Sequence, residues 1–378
     1  MSDTQKHTKP NVPDLRFPGF EGEWARCTLG EIGEPYIGLT YSPADVVNEG
    51  GTIVFRSSNI QNGEIDYSDI VRVNKKIKDS IITRKDDLLI CARNGSPRLI
   101  GKNALLKDAD AGQTFGAFML VFRSNDNHFV HQLLSTKGYY SQVSENLGAR
   151  INQITTSNIK DFEFYFPKSI AERNKIADFL NLIDERISIQ NKVIEKYESL
   201  IKALAHEIIG KNAPNKTLSE CVCCTSSILK ESDLEEAGAV PVYGAAGISG
   251  FTDSVLYRGE DSILITKDGS GVGSLRYVRG PHSFVGTLNS MTPKECIYLP
   301  YIYYALQNVC FESYRTGQAI PHIYFKDYGK EAIYCPSYEE QVRMAIGLEK
   351  IDAKIGLEKA TLQSYKSAKV YLLSAMLI

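Results

Sequence analysis

Apolar residues recur at alternating spacings of four and three along two separate stretches of this chain. In the first, positions 176, 180, 183, 187, 190, 194, 197, 201, 204 and 208 hold Ile, Leu, Ile, Ile, Gln, Ile, Tyr, Ile, Leu and Ile. In the second, positions 344, 348, 351, 355, 358, 362, 365, 369, 372 and 376 hold Met, Leu, Ile, Ile, Glu, Leu, Tyr, Lys, Leu and Met. The period predicts two long amphipathic helices, over 168–210 and 337–378, each with a seam broken by a polar residue at the same place, Gln190 and Glu358. A helix of about 33 residues, about 50 Å long at 1.5 Å per residue, cannot bury such a stripe alone. The two are therefore expected to pair as an antiparallel coiled coil. Ile176, Leu180, Ile183, Ile187, Ile194, Tyr197, Ile201 and Leu204 would face Met344, Leu348, Ile351, Ile355, Leu362, Tyr365 and Leu372.

The segments before the helices repeat as well. DLLICARNGS (87–96) matches DSILITKDGS (261–270) at an offset of 174, and GARINQI (148–154) matches GQAIPHI (317–323) at an offset of 169. Each helix is introduced by a proline and an acidic start, FPKSIAERNKI (166–176) and CPSYEEQVRM (335–344). Short apolar runs such as TIVFRSSNI, LLICA, AFMLVFR and ILITK, bounded by Gly, Asn and Asp, read as strands. HQLLSTKGYYSQVSENL and PYIYYALQNVCFESY read as helices at matching positions in the two copies. The fold class is α+β: a polar tail (1–21), a domain (22–167), a helix (168–210), a second similar domain (211–336) and a second helix (337–378). Antiparallel helices with a domain at each end give a dumbbell with approximate two-fold pseudo-symmetry.

At 378 residues, with 43% hydrophobic and 23% charged residues, the chain has apolar material for packed cores and is not a disordered segment. No run of about 18 apolar residues and no secretory leader is present, which points to the cytoplasm. The eight cysteines are scattered apart from Cys221, Cys223 and Cys224. No second ligand pair lies near that cluster, so no metal site is expected.

Two glycine-rich segments invite a nucleotide-binding reading, and both fall short of it. GSPRLIGKN (95–103) has five residues between its glycines and Asn103 where a phosphate loop needs a hydroxyl. GSGVGS (269–274) is followed by the strand-like SLRYV rather than by a helix. Both read as tight turns between strands. There is no G-x-S-x-G elbow, no H-E-x-x-H and no paired cysteine motif, so the chain is expected to be non-catalytic, with no catalytic residue, metal or cofactor of its own.

The loops instead carry side chains suited to base edges and phosphates. In the first domain these are Arg93, Asn94, Ser96, Arg98 and Lys102, then Arg150, Asn152, Gln153, Thr155 and Thr156. In the second they are Lys267, Asp268, Ser270 and Arg276, then Arg315, Gln318 and His322. Arginine can fork onto guanine, Asn or Gln onto adenine, and lysine or hydroxyls suit phosphate. The formal net charge of −2 is low for a protein that grips DNA unaided, so partners would have to share the phosphate contacts.

Taken in order, VPDLRFPGFEGEW (12–24), TLGEIG, the junction FPKSIAERNKIADFL, the helix IDERISIQNKVIEKYESLIKALAHEI and the second junction CPSYEEQVRMAIGLEKID resemble the specificity subunit of Type I restriction-modification systems. The resemblance covers essentially the whole chain. It implies two target recognition domains that each read one half of a bipartite site in double-stranded DNA, and helices that set the gap and dock two modification subunits. Those partners would bind S-adenosylmethionine and methylate adenine, and restriction subunits using ATP and Mg could join them. Two other readings compete. One is a coiled-coil scaffold that binds proteins through its two heads; the other, a methyltransferase or nuclease in its own right, would require a constellation absent from the sequence.

Overall fold

The computed structural model describes residues 11–147, 152–253, 261–269, 271–317 and 320–378. It divides into two compact units, Met1–Asn191 with Thr361–Ile378, and Lys192–Ala360. In the first unit, β1 (Glu34–Ile37), β2 (Leu88–Cys91), β3 (Asn103–Leu105) and β4 (Met119–Arg123) form an antiparallel sheet in the order β1-β4-β2-β3. Strand β2 is buried on both faces, which is why LLICA is a continuous apolar run rather than an alternating one. Leu88 and Ile90 join a core with Trp24, Phe129 and Leu180, while Leu89 and Cys91 join another with Phe55 and Phe115. Burial of each such side chain contributes roughly 1.5–3 kcal/mol.

Thr52–Phe55 runs parallel to Thr114–Phe115, which brings Phe55 beside Phe115. Ala25–Thr28 pairs antiparallel with Glu163–Phe166 and so joins the start of the domain to its end.

The second unit repeats this plan. Strands β5 (Val222–Ser226), β6 (Ser262–Thr266), β7 (Leu275–Val278) and β8 (Leu288–Pro293) lie in the order β5-β8-β6-β7. Val240–Gly244 runs parallel to Ser283–Phe284, pairing Tyr243 with Phe284. Lys216–Thr217 pairs with Ala332–Ile333 to close the domain.

Backbone hydrogen bonds fix the correspondence between the copies, and they correct the sequence match by one residue. Cys91 donates to the Lys102 carbonyl and accepts from Gly101, at 2.8 and 2.9 Å; Thr266 donates to Ser274 and accepts from Gly273, at 3.0 and 2.8 Å. Cys91 therefore corresponds to Thr266, and the offset of 174 falls one residue short. Because both strands are buried on both faces, hydrophobicity alone cannot fix their register. Gly101 and Gly273, with φ of 83° and 85°, take the same left-handed place in turns joining antiparallel neighbours.

Helices α1 (Ile170–Ala205) and α2 (Tyr338–Met376) follow the two domains. At the junctions, Arg173 pairs with Asp126 at 3.2 Å, and Gln341 accepts from the Tyr298 amide at 2.9 Å. Each contact anchors a long helix to the cap of its domain's inner helix, Asn127–Leu133 or Leu299–Ala305. Within the first unit, Ile176, Leu180 and Ile183 share a core with Leu372, Leu373 and Met376, and Lys369 is ion-paired with Asp184. Within the second unit, Lys359 pairs with Glu198 at 2.7 Å.

Ile194, Ile201, Leu348 and Ile355 are buried, and Ile187, Tyr197, Leu204, Met344, Ile351 and Leu362 are half-buried. Tyr365 departs from the seam and is 36% exposed. Near the C-terminus the buried stripe widens to include Leu373, Ala375 and Leu377, because this stretch contributes to the domain core as well.

Residues 11–21 are not a polar tail. The half-buried Arg16 makes a two-pronged pair with the buried Glu172 at 2.7 and 2.9 Å, Phe17 sets its edge against Phe179, and the Leu15 amide donates to the Ala375 carbonyl at 2.8 Å. The partner of Arg16 lies 156 residues away in the chain, so the local polarity of the segment does not reveal it. Among the described residues no helix is long and apolar enough to cross a membrane.

Candidate nucleic-acid interface

In the first unit the chain leaving β2 is pinned from two sides. The amides of Ala92 and Arg93 both donate to the Phe118 carbonyl at 2.9 and 3.0 Å, and Ile154 donates to Ala92 at 2.9 Å. This sets Arg93 opposite Gln153 in an antiparallel bridge. A cleft of about 910 Å³ opens there, lined among others by Arg56, Ser57, Arg93, Asn94, Phe118 and Asn152. The Arg93 guanidinium lies 4.9 Å from the centre of the Phe118 ring, which is itself 57% exposed.

Several predicted residues shape this cleft from within. The Asn94 amide donates to Ser57 Oγ at 2.9 Å while its oxygen accepts from the Ser96 amide at 3.0 Å; Asn152 donates to the Gly95 carbonyl at 3.2 Å. Thr155 caps the short helix Thr156–Asp161 in a reciprocal box with Asn158, so its hydroxyl is committed to the fold. Thr156 is half-buried in that first turn, and Arg98 is exposed on the turn Pro97–Leu99.

Lys102 does not join Arg93. It lines a second cavity, of about 660 Å³, with Asn103, His128, His131, Asp184 and Lys369, and desolvation there lowers its pKa. The cause is its place at the far end of the turn, beside β3. Arg150 lies outside the described residues.

Sequence reasoning missed Arg56 and Phe118. Arg56 pairs with Asp69 at 2.8 Å and follows the strand Thr52–Phe55 much as Arg93 follows β2. That strand-then-arginine pattern was the signal available. Phe118 gave none, because an aromatic inside AFMLVFR reads as strand core.

The second unit uses the same backbone frame. Lys267 and Asp268 donate to the Thr287 carbonyl at 3.0 and 3.3 Å, and Ile323 donates to Lys267 at 2.9 Å. Asp268 is bridged to His322 and therefore stands where Arg93 stands in the first unit; Lys267 corresponds to Ala92 and Thr287 to Phe118. The expectation that Lys267 matches Arg93 fails through the one-residue slip. The Lys267 ammonium reaches Ser226 Oγ at 3.5 Å.

His322 Nδ1 lies 2.7 Å from Asp268 Oδ1, and its ring stacks on Tyr324 at 6.4 Å, with the Lys326 ammonium 5.3 Å from the same tyrosine. Arg276 stands on β7 with its guanidinium 5.8 Å from the Tyr243 ring, and Arg315 is ion-paired to Glu312 at 2.6 Å. Ser270 and Gln318 lie outside the described residues.

A family model for the Type I restriction modification DNA specificity domain matches residues 21–199 and again 218–365. The chain is 27% identical over 205 residues to the Type I restriction enzyme EcoKI specificity subunit of Escherichia coli (strain K12), over 52% of this chain and 44% of that one. It is 25% identical over 196 residues to the StySPI specificity subunit of Salmonella potsdam, over 50% and 42%. The matched stretches thus span less than half the length of these relatives. A crystal structure of the S subunit of a Type I restriction-modification system from M. genitalium superposes with a TM-score of 0.63 at 22% identity, covering 97% of this chain and 99% of that one. The latter likeness is one of fold.

Proposed function

Because the chain belongs to the Type I restriction-modification DNA specificity family, we propose that each unit reads one half of a bipartite DNA site and that α1 and α2 set the gap between the halves. The observation that carries this reading is the repeated backbone frame bearing different side chains: Arg93 and Gln153 in one unit, Asp268 and His322 in the other. A duplicated scaffold with diverged readers suits an asymmetric target. Pairing of the helices is supported within each unit by an ion pair, Asp184 with Lys369 in the first and Glu198 with Lys359 in the second.

Apolar side chains off the seam supply surface for modification subunits. Leu182, Ile189 and Leu200 on α1, and Leu357, Val370 and Tyr371 on α2, are all more than 40% exposed. Those partners would share the phosphate contacts that a net charge of −2 leaves short, and would bring S-adenosylmethionine; restriction subunits would bring ATP and Mg. Exchanging residues 22–167 for the first domain of another family member, in complex with modification subunits, should change one half of the methylated motif. A change in both halves would contradict modular reading.

A further inference from the structure

We propose that Arg93 and Asp268 read bases of opposite hydrogen-bonding polarity: Arg93 a guanine in one half-site, and Asp268 the exocyclic amino group of a cytosine or adenine at the matching place in the other. The inference rests on the two units being DNA readers, and it adds what each reads.

The two residues occupy one position of a shared frame. Each amide donates to the equivalent carbonyl, Phe118 or Thr287, and each residue is bridged to the equivalent partner, Gln153 or His322. Their side chains therefore leave the backbone from the same place, with opposite charge and opposite chemistry.

Arg93 offers only donors. Its guanidinium lies 4.9 Å from the centre of the exposed Phe118 ring, a contact that restrains it beside the cleft that both residues line. A planar fork of donors complements guanine O6 and N7, two acceptors side by side in the major groove.

Asp268 as carboxylate offers only acceptors. One oxygen faces His322 Nδ1 at 2.7 Å, and the His322 ring is steadied by its stack on Tyr324. Among the described residues the other oxygen has no hydrogen-bond partner. A carboxylate held in this way accepts from cytosine N4 or adenine N6 and repels the guanine acceptors that Arg93 attracts. The second unit thus excludes at this position the base that the first selects.

The test uses the chain assembled with its modification subunits, with methylated sites mapped by single-molecule sequencing. Arg93→Ala should relax a guanine in one half by about tenfold, and Asp268→Ala should relax an amino-bearing base in the other half by about the same factor. The double exchange Asp268→Arg with His322→Gln, which installs the first unit's pair, should move that position toward guanine and leave the first half untouched. Placing 7-deazaguanine at the assigned guanine probes the unmutated protein: wild type should bind about tenfold more weakly, and Arg93→Ala should lose nothing further. A wild-type bipartite motif whose preferences are unchanged in all these variants would overturn the polarity assignment alone. A wild-type complex that methylates without sequence preference would instead overturn the reading it rests on.

Discussion

Arg16→Ala should destabilise the first unit selectively. Glu172 is 2% exposed, and the Arg16 guanidinium meets both its oxygens, at 2.7 and 2.9 Å, while also donating to the carbonyls of Gly22 and Glu21. Removing the arginine leaves a carboxylate out of water without its counter-charge, which costs about 3–5 kcal/mol. For a unit of this size each kcal/mol lowers the melting temperature by roughly 2–4 °C, so a fall of about 10 °C is expected. The chain has one tryptophan, Trp24, and it is buried in the first unit's core, so its fluorescence on heating reports that unit alone. Adding Glu172→Gln to the Arg16→Ala chain removes the stranded charge and should recover part of the loss, a coupling that the double-mutant cycle measures. A melting temperature within 2 °C of wild type for Arg16→Ala, or no recovery in the double variant, would refute the assignment of this pair as what holds residues 11–21 in place.

Two further predictions follow from other buried groups. Ile194→Lys places a charge at a seam position that is 6% exposed, and should cost about 3 kcal/mol and reduce co-purification with modification subunits; normal unfolding and assembly would contradict the seam. His131 is buried with Nδ1 against Asn103 Oδ1 at 3.0 Å, and desolvation pushes its pKa down to about 4 from 6.5. Between those values the unfolded chain binds the extra proton. The contribution of His131 to the stability of the first unit should therefore fall by up to about 3 kcal/mol as pH drops from about 6.5 to about 4. Trp24 fluorescence in denaturant titrations would read this slope, and His131→Gln should flatten it.

The long helices were legible because a stripe sustained over ten seam positions has one physical explanation, and the duplication was legible because the copies share their punctuation. The glycine turns were legible too: a position requiring φ above 80°, as at Gly101 and Gly273, admits little else. The register between the copies was not, since LLICA and ILIT are apolar on both faces and slide past one another without penalty in a sequence match. That slip hid the contrast between Arg93 and Asp268. Lys102 and Thr155 illustrate a different limit. A polar side chain in a loop can serve a base, a second cavity or a helix cap, and only the path of the chain decides among them. The fold of residues 11–21 depended on a partner 156 residues away in Glu172, which local polarity cannot reveal.

The most direct test is a methylation map from a host lacking other adenine methylation, expressing the modification subunits with and without this chain. The account predicts a motif of two short specific halves around a fixed gap, present only when the chain is supplied. Stable co-purification of the subunits with no motif, or the same motif in the chain's absence, would contradict it.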